Sequence, residues 1–239
     1  MDFPISIRNA IAGLLDSIYP NVCFGCGEYI KNQEKAVCHH CLDQIDYLEN
    51  PLCIQCGNFL ESKNNCKHCG IDNPVPVLAL GQYIDPLKEL IHQFKFQKIR
   101  KLGKQFGSMI VEKHGQSILA SNADILVPVP LHSYRLKSRG FNQAHNLAAF
   151  LGNQYDIGVD AHSILKKRKT KDQVRLGAKK RRENLHNIFD CTGNAISEKK
   201  VIMVDDVFTT GATLREMKRV IENSGGKPVM AVVIAVAGV

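Results

Sequence analysis

Hydrophobic and polar positions follow different periods in successive parts of this chain. Near the start, Ile7, Ile11, Leu14, Leu15 and Ile18 recur at helical spacing, which predicts a short amphipathic helix over 1–20, closed by Pro20. Docking onto the rest of the molecule, rather than onto a membrane, is the expected use of its apolar face. Residues 21–73 lose any period. They are rich in Cys, Gly and Asn and too poor in apolar side chains to close a core of their own. The run DNPVP, 72–76, reads as a linker.

From VLALGQY, 77–83, the texture turns globular, and 77–239 is expected to form one domain. That opening run reads as a strand, and helical periodicity follows in PLKELIHQFKFQ and GKQFGSMIVEKH. ILVPVP (125–130) reads as a buried strand, FNQAHNLAAFLGNQ (141–154) as a helix, and HSILKKR (162–168) as a strand start. Next come KKVIMVDDV as a strand, ATLREMKRVIENSGG as a helix closed by glycines, and PVMAVVIAVAGV as a last strand. Strands alternating with helices predict an α/β fold: a mostly parallel sheet covered on both faces.

Charge adds one feature. The formal net charge is +8, yet Lys166–Arg182 alone holds ten Lys/Arg against one Asp, a local +9. The chain is therefore not basic throughout; it carries one cationic segment, including Lys166, Lys167, Arg168, Lys169, Lys179, Lys180 and Arg182. No apolar run reaches the roughly 18 residues of a membrane span, and no small-residue cleavage site follows the first stretch. The expectation is a soluble, cytoplasmic protein.

Eight of the nine cysteines form four Cys-x-x-Cys pairs: Cys23/Cys26, Cys38/Cys41, Cys53/Cys56 and Cys66/Cys69. Each pair can offer two thiolates to a tetrahedral ion, so eight thiolates make two four-sulfur Zn²⁺ sites, closed and hence structural. Redox pairs or an iron–sulfur cluster are the other uses of such spacing. Sequential pairing is the simplest arrangement, and spacing alone leaves a cross-braced one open. His39, His40 and His68 lie inside the knuckles but are not needed as ligands. Each filled site carries about −2. Cys191 stands alone.

Val201–Thr213, VIMVDDVFTTGAT, joins a buried strand to two adjacent carboxylates and a hydroxyl-rich loop that runs into a helix. The carboxyl end of a parallel strand is where α/β sheets bind ligands. The helix N-terminus and the hydroxyls of Thr209, Thr210 and Thr213 suit an anion, and Gly211 allows close backbone approach. Acids for hydroxyls or Mg²⁺ beside a phosphate cradle describe a sugar phosphate. Neither a P-loop nor a G-x-G-x-x-G cradle is present.

The segment resembles the 13-residue PRPP-binding motif of type I phosphoribosyltransferases. The resemblance implies that Asp205 and Asp206 hold the ribose hydroxyls, with Mg²⁺ bridging these to the pyrophosphate, and that Thr209, Thr210, Gly211, Ala212 and Thr213 hold the 5′-phosphate. It also implies that the loop after the first core strand, here PVPLHSYRLKSRG, 128–140, takes the pyrophosphate, with Arg135, Lys137 and Arg139, and that the cationic segment is a mobile loop that closes over the site. Four Cys-x-x-Cys pairs, VPVPLHSYRLKSRGFNQA, the set Gln173, Leu176, Arg181 and Asn184, and the PRPP motif together resemble the ComF family of competence proteins. That resemblance implies a zinc-ribbon module on a phosphoribosyltransferase-like domain, handling single-stranded DNA during natural transformation beside a helicase-like partner. The alternative is a phosphoribosyltransferase acting on a nucleobase or other nitrogen nucleophile, with residues 77–120 as its base-binding hood.

Overall fold

A computed structural model describes residues 21–32, 35–97, 99–167 and 188–238 of the chain. The predicted helix over 1–20 lies outside them. So does most of the cationic segment, with Arg168, Lys169, Gln173, Leu176, Lys179, Lys180, Arg181, Arg182 and Asn184.

In chain order the elements are α1 (His39–Asp43), β1 (Leu52–Cys53), β2 (Pro76–Gln82), α2 (Leu87–Phe96), α3 (Arg100–Ala120), β3 (Ile125–Pro128), α4 (Ser133–Arg139) and α5 (Gln143–Tyr155). They continue with β4 (Gly158–Val159), β5 (Ile164–Lys166), β6 (Phe189–Cys191), β7 (Lys200–Val204), β8 (Val207–Phe208), α6 (Ala212–Asn223) and β9 (Lys227–Val236). Seven strands form one sheet in the order β1-β2-β9-β7-β3-β4, with β8 also paired to β9. Every pairing is parallel except β1 with β2.

Alternation along the strands separates two cores. Leu78, Leu80, Leu126, Ile202, Val204, Val232 and Ile234 face α2, α3 and α5. Val77, Ala79, Val127, Val201, Met203, Ala231 and Val233 face α6 and the β5–β6 pair. Both faces are covered, which is why these strands read as unbroken apolar runs. α2 buries Leu87, Leu90, Ile91 and Phe94 on one stripe, and α6 buries Leu214, Met217, Val220 and Ile221. No helix among the described residues is long and apolar enough to cross a membrane.

Three local readings change. The segment 128–140 is not loop throughout: α4 lies within it, capped by the His132 ring, which accepts from the Tyr134 amide at 3.2 Å. Ile164–Lys166 is a strand, but it pairs antiparallel with β6 in a separate ribbon rather than joining the sheet. The run 72–76 is packed: Val75 is buried, and Pro76 already belongs to β2. The cysteine-rich part lines the free edge of β2, through β1 and through Leu48 N–H to Leu80 O (2.9 Å) and Gln82 N–H to Asp46 O (2.9 Å). An edge strand that would otherwise invite foreign pairing is thereby covered.

Candidate functional site: an acidic strand end beside two cysteine clusters

β7 and β8 run along the same side of β9, with Val204 opposite Val232 and Val207 opposite Ala235. Asp205 and Asp206 interrupt them at the carboxyl end of β7. The Asp206 carbonyl still accepts from the Ile234 amide (3.0 Å), so the backbone is held while both side chains are released from the sheet pattern. The predicted strand KKVIMVDDV divides at the two aspartates, Val207 and Phe208 form the separate β8, and the loop proper begins at Thr209.

Asp206 meets two cations. Lys95 Nζ lies 2.9 Å from Oδ1, and Arg139 Nη1 4.0 Å from Oδ2, with all three side chains only 12–16% exposed. Arg139 also donates to Gln143 Oε1 (3.1 Å) and stacks on the Phe96 ring at 5.3 Å. Burial lowers Arg139, with Asp206 opposing, Arg135 assisting and Asp205 opposing. Asp205 accepts from the Asp206 amide (2.8 Å). Burial and then the Asp206 charge push its carboxyl up to about 7, while Lys95 and Lys166 pull it down.

Of the residues singled out in the sequence, Asp205, Asp206, Arg139 and Lys166 converge electrostatically. Arg135 and Lys137 stand exposed on α4, and Lys167 pairs with Asp190 at 2.9 Å. Lys95 was missed. In α2 it is an ordinary basic residue of a last helical turn, and no local signal points to a partner so far along the chain.

Beyond Phe208 the loop exposes Thr209 and Thr210 and enters α6 at Gly211, whose φ of +71° is left-handed. A Cβ there would lie 2.6 Å from Arg215 Nη1 and 2.7 Å from Phe208 Cζ, so glycine is required by space as well as by backbone. The amides of Ala212, Thr213 and Leu214 precede the first intrahelical bond, which the Arg215 amide makes to Gly211 O; the Ala212 amide meets Thr210 Oγ1 at 3.5 Å, and this helix end suits an anion.

The eight knuckle cysteines gather sequentially: Cys23, Cys26, Cys38 and Cys41 in one cluster, and Cys53, Cys56, Cys66 and Cys69 in the other, with the sulfurs of each set within 4.8 Å of one another. Neighbouring sulfurs stand 3.7 Å (Cys26–Cys38), 3.8 Å (Cys53–Cys69) and 3.6 Å (Cys56–Cys66) apart. A tetrahedron with Zn–S bonds of about 2.3 Å has edges of about 3.8 Å, so both donor sets fit Zn²⁺. The Cys53 knuckle is closed by Cys53 N–H to Asn58 O and Gly57 N–H to Cys53 O, both 2.8 Å, with Gly57 at φ +78°. The Cys69 amide, against opposing burial, and the His68 amide hold Cys66 down to about 6, a thiol ready to ligate as thiolate. No histidine joins either cluster.

A mostly parallel α/β sheet with an acidic strand end and a hydroxyl loop, carrying two four-cysteine clusters on its edge, defines a double zinc-ribbon protein built on an α/β domain. Residues 14–70 match the family model described as a double zinc ribbon domain. Competence protein F of Haemophilus influenzae is 31% identical over 210 residues, 79% of this chain and 91% of that protein. The chain belongs to the competence protein F family. DNA utilization protein YhgH of Escherichia coli K12 is 28% identical, covering 88% of this chain and 94% of its own length. Among solved structures, the glutamine PRPP amidotransferase of B. subtilis, complexed with ADP and GMP, is 19% identical with a TM-score of 0.38, covering 55% of this chain and 25% of that one.

Proposed function

We propose that this protein handles incoming single-stranded DNA in the cytoplasm during natural transformation, through a site that takes Mg²⁺-PRPP. The observation that carries the reading is the cluster at the end of β7, where paired carboxylates, one of them faced by Lys95 and Arg139, adjoin an anion cradle. Membership of a family whose relatives are named for competence and DNA utilization supplies the DNA role.

In this reading Asp205 and Asp206 take the ribose hydroxyls, Thr209–Thr213 the 5′-phosphate, and Arg135 and Arg139 the pyrophosphate, joined by Gln173, Arg181 and Asn184. Mg²⁺, if bound, would be held beside Asp205 and Asp206 and would supply neutralisation of the pyrophosphate charge. Lys166, at the end of β5, is close enough to lower Asp205. In this reading the cationic segment Lys166–Arg182 meets DNA phosphates, with a helicase-like protein as partner in passing the strand on.

Fluorescence anisotropy of labelled single-stranded DNA, at about 50 and 200 mM salt and with or without Mg²⁺-PRPP, tests this. Binding should weaken by about tenfold or more between the two salts and change with PRPP. Absence of binding in all four conditions overturns the DNA role.

A second reading, phosphoribosyl transfer to a nitrogen nucleophile, is favoured by Lys95 and Arg139. In this reading both would offset leaving-group charge, and Phe96 of α2 lies beside Arg139. It requires pyrophosphate release above that of an Asp205→Asn/Asp206→Asn protein across a panel of nucleobases, and equal release removes it.

A further inference from the structure

Arg215 lies in the first turn of α6 and turns back toward the second cysteine cluster. Its Nη1 donates to Gln55 O (3.0 Å) and Ile54 O (3.3 Å), the two carbonyls between Cys53 and Cys56. Its own amide donates to Gly211 O (2.9 Å), and its Nη1 fills the space beside Gly211 that a Cβ would need, 2.6 Å from that position. One side chain therefore touches both the knuckle and the loop.

A second contact runs alongside. The Cβ position of Gly57 is 3.5 Å from Phe208 Cε1, in the residue that leads into the loop. Between the two elements lies a cavity of about 320 Å³, walled by Cys56, Gly57 and Asn58 from the knuckle and Thr209, Thr210 and Ala237 from the sheet end. Leu52, Ile54, Phe208 and Leu214 share one core. The first cluster belongs elsewhere: Cys23, Ile30, Val37 and Cys41 pack in the core of α2, α3 and α5.

The geometry points to an unequal division of labour between the two ribbons. We propose that the second ribbon forms a wall of the sugar-phosphate pocket, with Arg215 as the positioning residue that locks it to the phosphate loop. This rests on reading 209–213 as the phosphate cradle. An anion cradle made of exposed hydroxyls and backbone amides binds tightly only if its loop is already ordered. The loop leans on Phe208 and Arg215, and Arg215 in turn needs the Ile54 and Gln55 carbonyls held in place. Closure of Cys53, Cys56, Cys66 and Cys69 on an ion is what fixes those carbonyls. Ligand affinity then follows the metal state of the second ribbon, and by reciprocity ligand protects that ribbon's metal. The first ribbon is outside this linkage.

The test uses the full-length zinc-loaded chain as wild type, Arg215→Ala and Arg215→Lys. Two quantities are read: the rates at which zinc passes to a colorimetric chelator, and the Mg²⁺-PRPP affinity by calorimetry. Arg215→Ala should speed release of one zinc about tenfold, leave the other unchanged, and weaken Mg²⁺-PRPP by about tenfold. Saturating Mg²⁺-PRPP should slow that same zinc in the wild type and not in the variant. Arg215→Lys retains the charge and a donor, so it should fall between, and it carries the test if the alanine protein does not fold. Unchanged zinc release, or PRPP affinity within twofold of wild type, overturns the proposal. A wild type that binds no Mg²⁺-PRPP instead sinks the phosphate-cradle reading, and equal release rates in that case overturn the clasp as well.

Discussion

Asp205 carries a negative charge only at a cost, because its carboxyl is buried beside Asp206, whose own charge is already matched by Lys95. With its folded value pushed up to about 7, the folded chain holds this proton over a range in which the unfolded chain has lost it. The sign follows directly. Stability falls as pH rises from the ordinary carboxylate range through about 7 and levels off above, the reverse of a salt-bridged aspartate. Asp205→Asn, which keeps the shape of the protonated acid, should therefore stabilise the ligand-free protein by roughly 2–4 kcal/mol at pH 8 and by almost nothing near pH 4. Urea unfolding at the two values checks this. A variant no more stable than wild type at pH 8 would show that nearby cations already compensate the charge. The same residue should become indispensable once a sugar and a cation are to be held, so stability and binding are expected to move in opposite directions on this substitution.

At the scale of elements, the β7–loop–α6 unit was legible because each part has its own signal: Val201–Val204 as a buried run, the acid pair as its end, and Thr-Gly-x-Thr as a helix entry. Gly211 gives that entry a measurable consequence. Its φ of +71° and the 2.6–2.7 Å contacts awaiting a Cβ predict that Gly211→Ala costs about 1–3 kcal/mol in denaturant unfolding and shifts the Thr209–Thr213 loop. Nuclear magnetic resonance shifts confined to residues 207–215 would match, whereas an unaltered spectrum would mean the loop adjusts without strain. Elements that were misread lack such signals. β8 has two residues, too few to show a period, and β5 and β6 are three-residue strands whose partnership depends on a distant return of the chain. α4 buries no apolar residue, so no apolar stripe announced a helix where a loop was expected. Lys95 entered the site by tertiary packing of α2 alone. In the knuckles, Cys-x-x-Cys spacing identified ligands but left their partners open, because choosing a partner depends on how Cys38 caps α1 and how Asn65 bridges Asp72.

Over the whole molecule, the cysteine-rich part and the sheet share their interior. Cys23, Ile30, Ala36, Val37 and Ile45 pack with α2 and α3 on one face, and Leu48, Leu52, Ile54 and Val75 with the opposite core. The outer edge of β2 is hydrogen-bonded to both β1 and residues 46–48, so the part that depends on metal is also the part that closes the sheet. A segment with so few apolar residues owes its shape to its ions, and ion-binding free energy then becomes folding free energy. Because the contacts run through both cores, that contribution should extend beyond residues 21–73. Zinc removal is predicted to lower the melting temperature of the entire chain by roughly ten degrees or more, in a single calorimetric transition for both loaded and stripped protein. If the stripped chain instead kept a transition at the loaded temperature with reduced enthalpy, the α/β part would be stable without its zinc-bearing edge. With β2 uncovered, such a protein should also associate through that strand, so the stripped sample is expected to grow in size on light scattering as it loses stability.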